Sequence, residues 1–425
     1  MALFLFDNYR MRNWLRRHLR PAWVIFKRLP YQFRLRSARI AARVLPLSTI
    51  ARERIYPARS ICDSTPEWVS QAGQKFGAKI CHVDDACIVP MRLPKTAHRQ
   101  IRRQFLMDMN YDYPPTFVAT VPNGRATKRG LVFTPDGQFL TDVSTYFHDP
   151  NLTNLAALSA EWRLPPLTEI DGTVAVLATD GATLYYHWLF QLLPRYELMR
   201  LAGIDLDQID YFYVNRFESR FARDTMAALG VEPRRIIDGE RTPYLKARQL
   251  IVPSVPLAGG CFRPWLTDFL RKAFLRKSVG NSSPARRKLY ISRGLAGYRR
   301  VLNEKDVVSL LQKRGFEVAA METLSVPEQA ALMASCEVVI GPHGGGMSNL
   351  IFCSPGTKVV EIYSPELVAT YFWKLSNQLG LDYYYTIGKG PLGSSDSDYA
   401  QSWDSHSDIE VDLGSLEQTL ALAKI

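Results

Sequence analysis

The rhythm of apolar and polar positions changes along this chain. Between Gly172 and Pro253, short β-branched or aromatic runs at Thr173 to Ala178, Tyr211 to Val214 and Leu250 to Val252 alternate with longer amphipathic stretches, Tyr185 to Leu201 and Glu218 to Leu229. A period of two giving way to a period of 3.6 and back again is the pattern of strands joined by crossover helices, and it predicts a parallel sheet. A helix over Trp265 to Lys277 precedes residues 278–287, rich in Ser, Gly, Asn and Pro, which have the composition of a linker. The alternation then resumes with Leu289 to Ile291, a helix from Asn303 to Arg314, Phe316 to Val318, a helix from Val326 to Met333, and strands at Glu337 to Ile340 and Lys358 to Ile362. Residues 60–170 differ. Short pieces such as Leu131 to Phe133, ended by the turn Thr134-Pro135-Asp136-Gly137, predict antiparallel strands. A polar stretch from Gly388 to Ser407 has the look of a loop, followed by Ile409 to Val411 and a last helix from Ser415 to Ala423.

The most informative punctuation follows the strand at Glu337 to Ile340. Gly341-Pro342-His343 leads into three glycines, Gly344, Gly345 and Gly346, and Met347 to Phe352 then has the length of one or two helical turns. With no Cβ in the turn a ligand can approach the backbone closely, and the N–H groups of the helix start face it. Glu361, near the end of the next strand, stands where acidic residues meet a ribose diol in dinucleotide folds. The pattern is neither G-x-G-x-x-G opening a helix nor G-x-x-x-x-G-K-[ST], so neither common nucleotide fingerprint applies. His-Gly-Gly-Gly also occurs in esterase oxyanion loops, but those need a G-x-S-x-G elbow, which the chain lacks. A tight turn with His343 satisfied by a carbonyl is the plain structural alternative.

Three blocks stand in order along the chain. They are Tyr185-Tyr186-His187-Trp188-Leu189-Phe190 with Pro194-Arg195; Tyr290-Ile291-Ser292-Arg293 with Arg299-Arg300 and Asn303-Glu304; and Gly341-Pro342-His343-Gly344 through Pro355-Gly356-Thr357 to Glu361. In these blocks and their spacing, residues 170–425 resemble the family 61 glycosyltransferases, including bacterial members labelled capsular polysaccharide biosynthesis proteins. Gly345 stands where that family often has alanine, and Met347 where leucine is usual. The resemblance implies an α/β, GT-B-like fold, with two Rossmann-like domains facing across a cleft. Residues 61–280 would form the acceptor side and 281–390 the nucleotide-sugar side, flanked by an arm at 1–60 and a loop and helix at 391–425. It implies an inverting hexosyl- or pentosyltransferase that moves a sugar from a nucleotide-sugar donor to a glycan acceptor in bacterial surface or capsular polysaccharide biosynthesis. The other reading is a noncatalytic nucleotide-sugar or glycan-binding component of such an assembly.

Sugar transfer needs a base at the acceptor hydroxyl and stabilisation of the departing diphosphate. Arg293, at a strand end, can grip phosphate oxygens bidentately, with Arg299 and Arg300 as seconds. His343, Gly344, Gly345, Gly346 and Met347 complete the donor side, and Glu361 takes the ribose. His187 is the expected base because imidazole titrates near neutrality; orienting the acceptor, or a structural role, are its alternatives. Asp180 and Glu197 are the other titratable groups nearby. Tyr186 and Trp188 are candidates to stack on an acceptor sugar, one of the two being core at this helical spacing, and Arg195 is a candidate to bind acceptor, to touch donor phosphate or to hold the helix. Aspartates spaced D-x-D, as at Asp205 and Asp207, do not follow an apolar strand, so no metal and no cofactor besides the nucleotide sugar is expected.

Charge changes the picture only at the N-terminus. Residues 1–60 hold fourteen Arg and Lys against Asp7 and Glu53, which equals the whole formal net charge of +12. Interleaved with Trp14, Leu15, Leu19 and Trp23, these cations make residues 1–50 a candidate for an anionic membrane surface, the alternative being a solvated arm. No recognised nucleic-acid module accompanies them, so nucleic acid is not an expected partner. Six cysteines show no C-x-x-C or zinc-like spacing, and no apolar run reaches the roughly eighteen residues of a spanning helix. A cytoplasmic protein, peripheral on the inner face of a membrane, is the expectation these features give.

Overall fold

The computed structural model describes residues 60–144, 165–257, 260, 262–275, 286–390 and 407–425. The arm at 1–60, apart from Ser60, and most of the 278–287 linker and the 388–407 loop lie outside the described residues.

The first sheet contains β1 (Ser60–Cys62) and β2 (Lys79–Asp84); β3 (Cys87–Pro90) and β4 (Asn110–Tyr113) form a hairpin beside it. It continues with β5 (Thr116–Pro122), β6 (Arg125–Thr127), β7 (Val132–Phe133), β8 (Gln138–Leu140), β9 (Thr168–Val176), β10 (Tyr211–Val214), β11 (Ile236–Asp238) and β12 (Tyr244–Pro253). Its order is β1-β8-β7-β6-β12-β9-β10-β11, with β5 joined to both β12 and β2. β9, β10 and β11 run parallel, as does β9 with β12, whereas β5 and β6 meet β12 antiparallel. The expected parallel and antiparallel regions are therefore two halves of one ten-stranded sheet.

The second sheet is wholly parallel: β13 (Arg287–Ile291), β14 (Phe316–Ala319), β15 (Cys336–Pro342), β16 (Lys358–Tyr363) and β17 (Asp382–Ile387), in the order β14-β13-β15-β16-β17. The chain travels one way from β13 to β14 and the other way from β15 to β17. Its topological switch point lies between β13 and β15, and in open parallel sheets the crevice beyond the strand ends there is where ligands bind.

Helices cover these sheets: α1 (Thr65–Gln71), α2 (Arg103–Met107), α3 (Tyr185–His187), α4 (Leu193–Leu201), α5 (Arg220–Ala228), α6 (Pro264–Leu275), α7 (Glu304–Gln312), α8 (Val326–Ala334), α9 (Tyr371–Leu379) and α10 (Leu413–Leu422). Between α3 and α4, Trp188–Leu192 winds as a π turn, in which Leu193 N–H reaches back to Trp188 O. Pro194 explains the wide turn: it has no N–H for the carbonyl four residues back, at Phe190. The start of α8 is set by a capping box, Ser325 with Glu328. Asp205 caps a short 3-10 turn, which gives one of the D-x-D aspartates structural work, and Asp412 caps α10.

The two sheets share their largest core cluster, which runs from Phe190 and Leu270 to Met347 and Trp373. Residues 91–109 strap the first half onto the second. Lys95 lies beside the β17 edge, with Lys95 N–H on Tyr383 O at 3.1 Å and Tyr385 N–H on Lys95 O at 3.0 Å. Phe105 is fully buried, its ring 4.8 Å from Tyr385 and 5.3 Å from Trp373. Arg271 ties α6 to the glycine-rich turn region through Ile351 O and Cys353 O, both at 2.7 Å.

Candidate active site

Two strand ends meet at the switch point. β13 delivers Ser292 and Arg293, and β15 delivers His343 and the glycines. Glu304, opening α7, accepts from Tyr290 Oη at 3.1 Å, Ser292 Oγ at 2.9 Å and Arg293 N at 3.3 Å, which fixes the turn that aims Arg293. The guanidinium then donates from Nε to Arg299 O at 3.1 Å and from Nη2 to Tyr298 O at 2.9 Å. Its remaining nitrogen lies against the glycine loop: a Cβ on Gly344 would stand 1.9 Å from Arg293 Nη1. No side chain other than hydrogen fits there while Arg293 stays in place.

The three glycines have three different reasons. Gly344 makes room for Arg293. A Cβ on Gly346 would meet Ile291 Cγ2 at 2.9 Å, so that glycine is a packing requirement, while a Cβ on Gly345 would meet nothing within 4 Å. The helix they open, Gly345–Phe352, is 3-10 rather than α. Its first hydrogen bond runs from Met347 N–H to Gly344 O, so the Gly345 and Gly346 amides precede the ladder.

Arg299 joins this group under strain. Its φ is +53°, in the left-handed region, its Cζ lies 5.0 Å from the centroid of the Tyr298 ring, and its buried Nε makes no hydrogen bond. Arg293 also faces Tyr298, with Cζ 5.6 Å from the ring centroid. Burial lowers both guanidinium pKa values from the ordinary arginine range, and the Arg299 charge lowers that of Arg293 further. Among the described residues no carboxylate pairs with either. Two crowded cations beside free-facing amides are an arrangement that an anion completes.

His343 is held from behind. Its Nδ1 is 2.5 Å from Glu361 Oε1, its N–H donates to Ile362 O, and its ring stacks on Tyr363 at 5.4 Å. Glu361 is fully buried, and its other oxygen accepts from Tyr363 Oη at 2.9 Å and Tyr383 Oη at 2.5 Å. Burial pushes the His343 pKa down, against the opposing pull of Glu361. A neutral ring donating from Nδ1 to a carboxylate leaves Nε2 as an acceptor.

The facing wall comes from the first sheet. His187 is nearly buried, and burial pushes its pKa down to about 4, against a hydrogen bond with Gln191 and the Asp180 charge. Aromatic rings link the walls: Tyr186 lies 5.0 Å from His187 and 5.8 Å from Phe372, and Phe372 lies 5.3 Å from His343. Tyr185 Oη donates to Asn349 Oδ1 at 2.9 Å, fastening this wall to the glycine helix. Among the described residues no cluster of three His, Cys, Asp or Glu has a metal-binding arrangement, and no helix is long and apolar enough to cross a membrane.

The family model named Glycosyltransferase 61 matches residues 185–360, from the start of the His187 wall to the strand before Glu361. Similar proteins include a beta-1,2-xylosyltransferase of Oryza sativa subsp. japonica, 33% identical over 102 residues, covering 24% of this chain and 18% of that protein. A xylan glycosyltransferase of Arabidopsis thaliana is 28% identical over 93 residues, 20% of this chain and 19% of its own. An EGF domain-specific O-linked N-acetylglucosamine transferase of Drosophila melanogaster is 25% identical over 167 residues, 35% of this chain and 32% of its own. The chain thus spans less than a third of each relative. The three proteins come from plants and a fly, so the bacterial capsular setting finds no counterpart among them.

Within the matched residues and their borders, several expected contacts are corrected. Glu361 does not face a ribose: it is fully buried, with both oxygens engaged, and it supports His343 instead. Trp188 is core, its Nε1 donating to Thr225 Oγ1 at 2.8 Å, so it cannot stack on a sugar. Arg195 is fully buried and donates to the carbonyls of Val143, Val176 and Ala178, pinning the end of β9 rather than binding acceptor. Glu197 is chelated by Arg200 at 2.6 Å and 2.8 Å, and Asp180 pairs with Arg129 at 3.0 Å. Met347 contributes a fully buried side chain and a backbone N–H already used by Gly344. Arg300 pairs with Asp408 at 3.2 Å. Sequence reasoning missed Tyr363 and Tyr383 behind Glu361, and the Phe372 bridge. The run Asp382-Tyr383-Tyr384-Tyr385-Thr386-Ile387 carried a strand signal in its aromatic and β-branched residues that would have found Tyr383.

Proposed function

We propose that this protein transfers a sugar from a nucleoside-diphosphate sugar to a hydroxyl of a glycan acceptor. The observation that carries the reading is the Arg293 guanidinium seated on Gly344 at the switch point, with Arg299 beside it and the Gly345 and Gly346 amides next to both. A diphosphate bound there meets two cations and two N–H donors, and its departure is stabilised without proton movement. The facing sheets are read as a GT-B-like pair, with the acceptor on the His187 side.

In this scheme the acceptor oxygen attacks the anomeric carbon from the face opposite the diphosphate. The new glycosidic bond forms as the carbon–oxygen bond to the diphosphate breaks, and the anomeric centre inverts. The acceptor proton passes to Nε2 of His343, whose Nδ1–H rests on Glu361, so the imidazolium that forms has a carboxylate behind it. His187, with a pKa near 4, accepts protons poorly at neutral pH and orients the acceptor instead. The acceptor class is a glycan; a surface or capsular polysaccharide is the member that the resemblance to bacterial proteins favours, and a pentose such as xylose is the donor sugar that the plant relatives favour.

The test is calorimetric titration of nucleoside diphosphates and their sugars in chelator, on wild type and Arg293→Ala. Selective binding that falls by about a hundredfold in the variant, ~2.7 kcal/mol, is the expected result. Absence of binding to every nucleotide, or equal binding by the variant, removes the donor site from this place.

A further inference from the structure

The strap carries a second surface that the transfer reaction does not use. Between Ala86 and Met107 there are five Arg or Lys, namely Arg92, Lys95, Arg99, Arg102 and Arg103, and no carboxylate. The same segment exposes four large apolar side chains: Ile88 at 67%, Leu93 at 50%, Leu106 at 52% and Met107 at 55%. Backbone pairing gathers them. β3 pairs with β4, and Met91 N–H bonds Met109 O at 2.8 Å, which brings Leu93 beside the end of α2, where Leu106 and Met107 project. Arg92 and Arg99 are exposed among them, while Lys95 pairs with Asp382 at 2.6 Å and Arg102 is buried.

Fold stability does not account for this display. α2 is anchored by Phe105, which fills the aromatic cluster with Tyr363, Trp373 and Tyr385. Leu106 and Met107, next in sequence, leave apolar area in water at the end of a five-residue helix.

We infer that the strap face, Ile88, Leu93, Leu106 and Met107 with Arg92 and Arg99, is an interfacial docking surface for an anionic lipid membrane. Charge selects the occupant. The chain's own residues 1–60 hold the entire net charge of +12 and are repelled by a cationic face, as is the same face of a second copy. An anionic bilayer offers phosphate oxygens to the arginines and, a few ångströms deeper, hydrocarbon to the leucines and methionine. The inference does not depend on the donor site: lipid binding and nucleotide binding are separate measurements.

The experiment uses the full chain with vesicles of phosphatidylcholine alone and of phosphatidylcholine with phosphatidylglycerol. Amide exchange over residues 88–107 is expected to slow with the anionic vesicles and to be unchanged with the neutral ones. Leu106→Glu with Met107→Glu is expected to abolish that protection and to lower the partition coefficient at least tenfold, while nucleotide affinity stays within about twofold. Protection confined to residues 1–59, protection equal on neutral vesicles, or partition unchanged in the double variant would overturn the assignment. Retained nucleotide binding confirms that the double variant is folded, so its lipid result counts either way.

Discussion

Each sheet brings a histidine to the candidate site, and the two are treated differently. His343 has a buried carboxylate on Nδ1, and that carboxylate is itself held by two tyrosine hydroxyls. His187 ends α3 just before the π turn, with Gln191 as its hydrogen-bonding neighbour, and burial drives its pKa to about 4. Desolvation opposes the charged form in both rings. At His343 a carboxylate in direct contact stabilises an incoming proton, and the ring's tautomer is fixed by the same contact. Under the proposed transfer reaction, the difference gives proton transfer to the His343 side and orientation to the His187 side.

The largest expected effect tests that division directly. Glu361→Gln keeps the volume but removes the charge behind His343, and kcat should fall about a thousandfold with nucleotide affinity changed by less than about threefold. His187→Gln, which retains a hydrogen-bonding group, should cost about tenfold in kcat, with a rise in the acceptor KM. The discriminating readout is the pair of steady-state profiles. A thousandfold loss at His187 and a mild one at Glu361 would exchange the roles.

A smaller effect appears in stability. The unfolded imidazole of His187 titrates near 6.5 and the folded one near 4, so between these values the unfolded chain binds the extra proton. Stability conferred by neutral His187 is present above pH 6.5 and is lost as the pH falls toward 4, by about 3 kcal/mol in all. Burial lowers the values for His98 and His343 as well, and they act in the same direction. Denaturant unfolding of wild type and His187→Gln at pH 7 and pH 4.5 isolates the share of His187. The wild type should lose more stability than the variant over this interval, and parallel losses would mean that His187 is not neutralised by burial.

The same two walls explain what was legible in the chain. A parallel sheet covered on both faces writes itself as continuous apolar runs, so β13, β15 and β16 stood out, as did the glycine turn between strand and helix. The first sheet mixes strands as short as Arg125–Thr127 with the long β12, and so few residues carry no periodicity; Val132–Phe133 was legible because the turn Thr134-Pro135-Asp136-Gly137 follows it. Side-chain direction was the other missing element. Trp188, Arg195 and Glu361 have the right chemistry for a sugar site, yet each is turned inward by packing that only the assembled fold determines. Gly344 was recognisable as a position needing no Cβ, but its reason, a guanidinium supplied from about fifty residues earlier in the chain, was not.

That reason separates neighbouring glycines and gives the finest test of the donor wall. A methyl on Gly344 would lie 1.9 Å from Nη1 and 2.6 Å from Cζ of Arg293, whereas one on Gly345 would touch nothing within 4 Å. Arg293 cannot retreat at no cost, because its Nε and Nη2 are committed to the carbonyls of Arg299 and Tyr298. Gly344→Ala should therefore move the guanidinium off the loop and weaken nucleoside diphosphate binding about thirtyfold, ~2 kcal/mol, while Gly345→Ala stays within about twofold of wild type. Both φ values lie outside the left-handed region that favours glycine, so backbone strain does not distinguish the two substitutions. Equal losses at the two positions would mean that backbone approach by the ligand, rather than the seat of Arg293, is what the glycines provide.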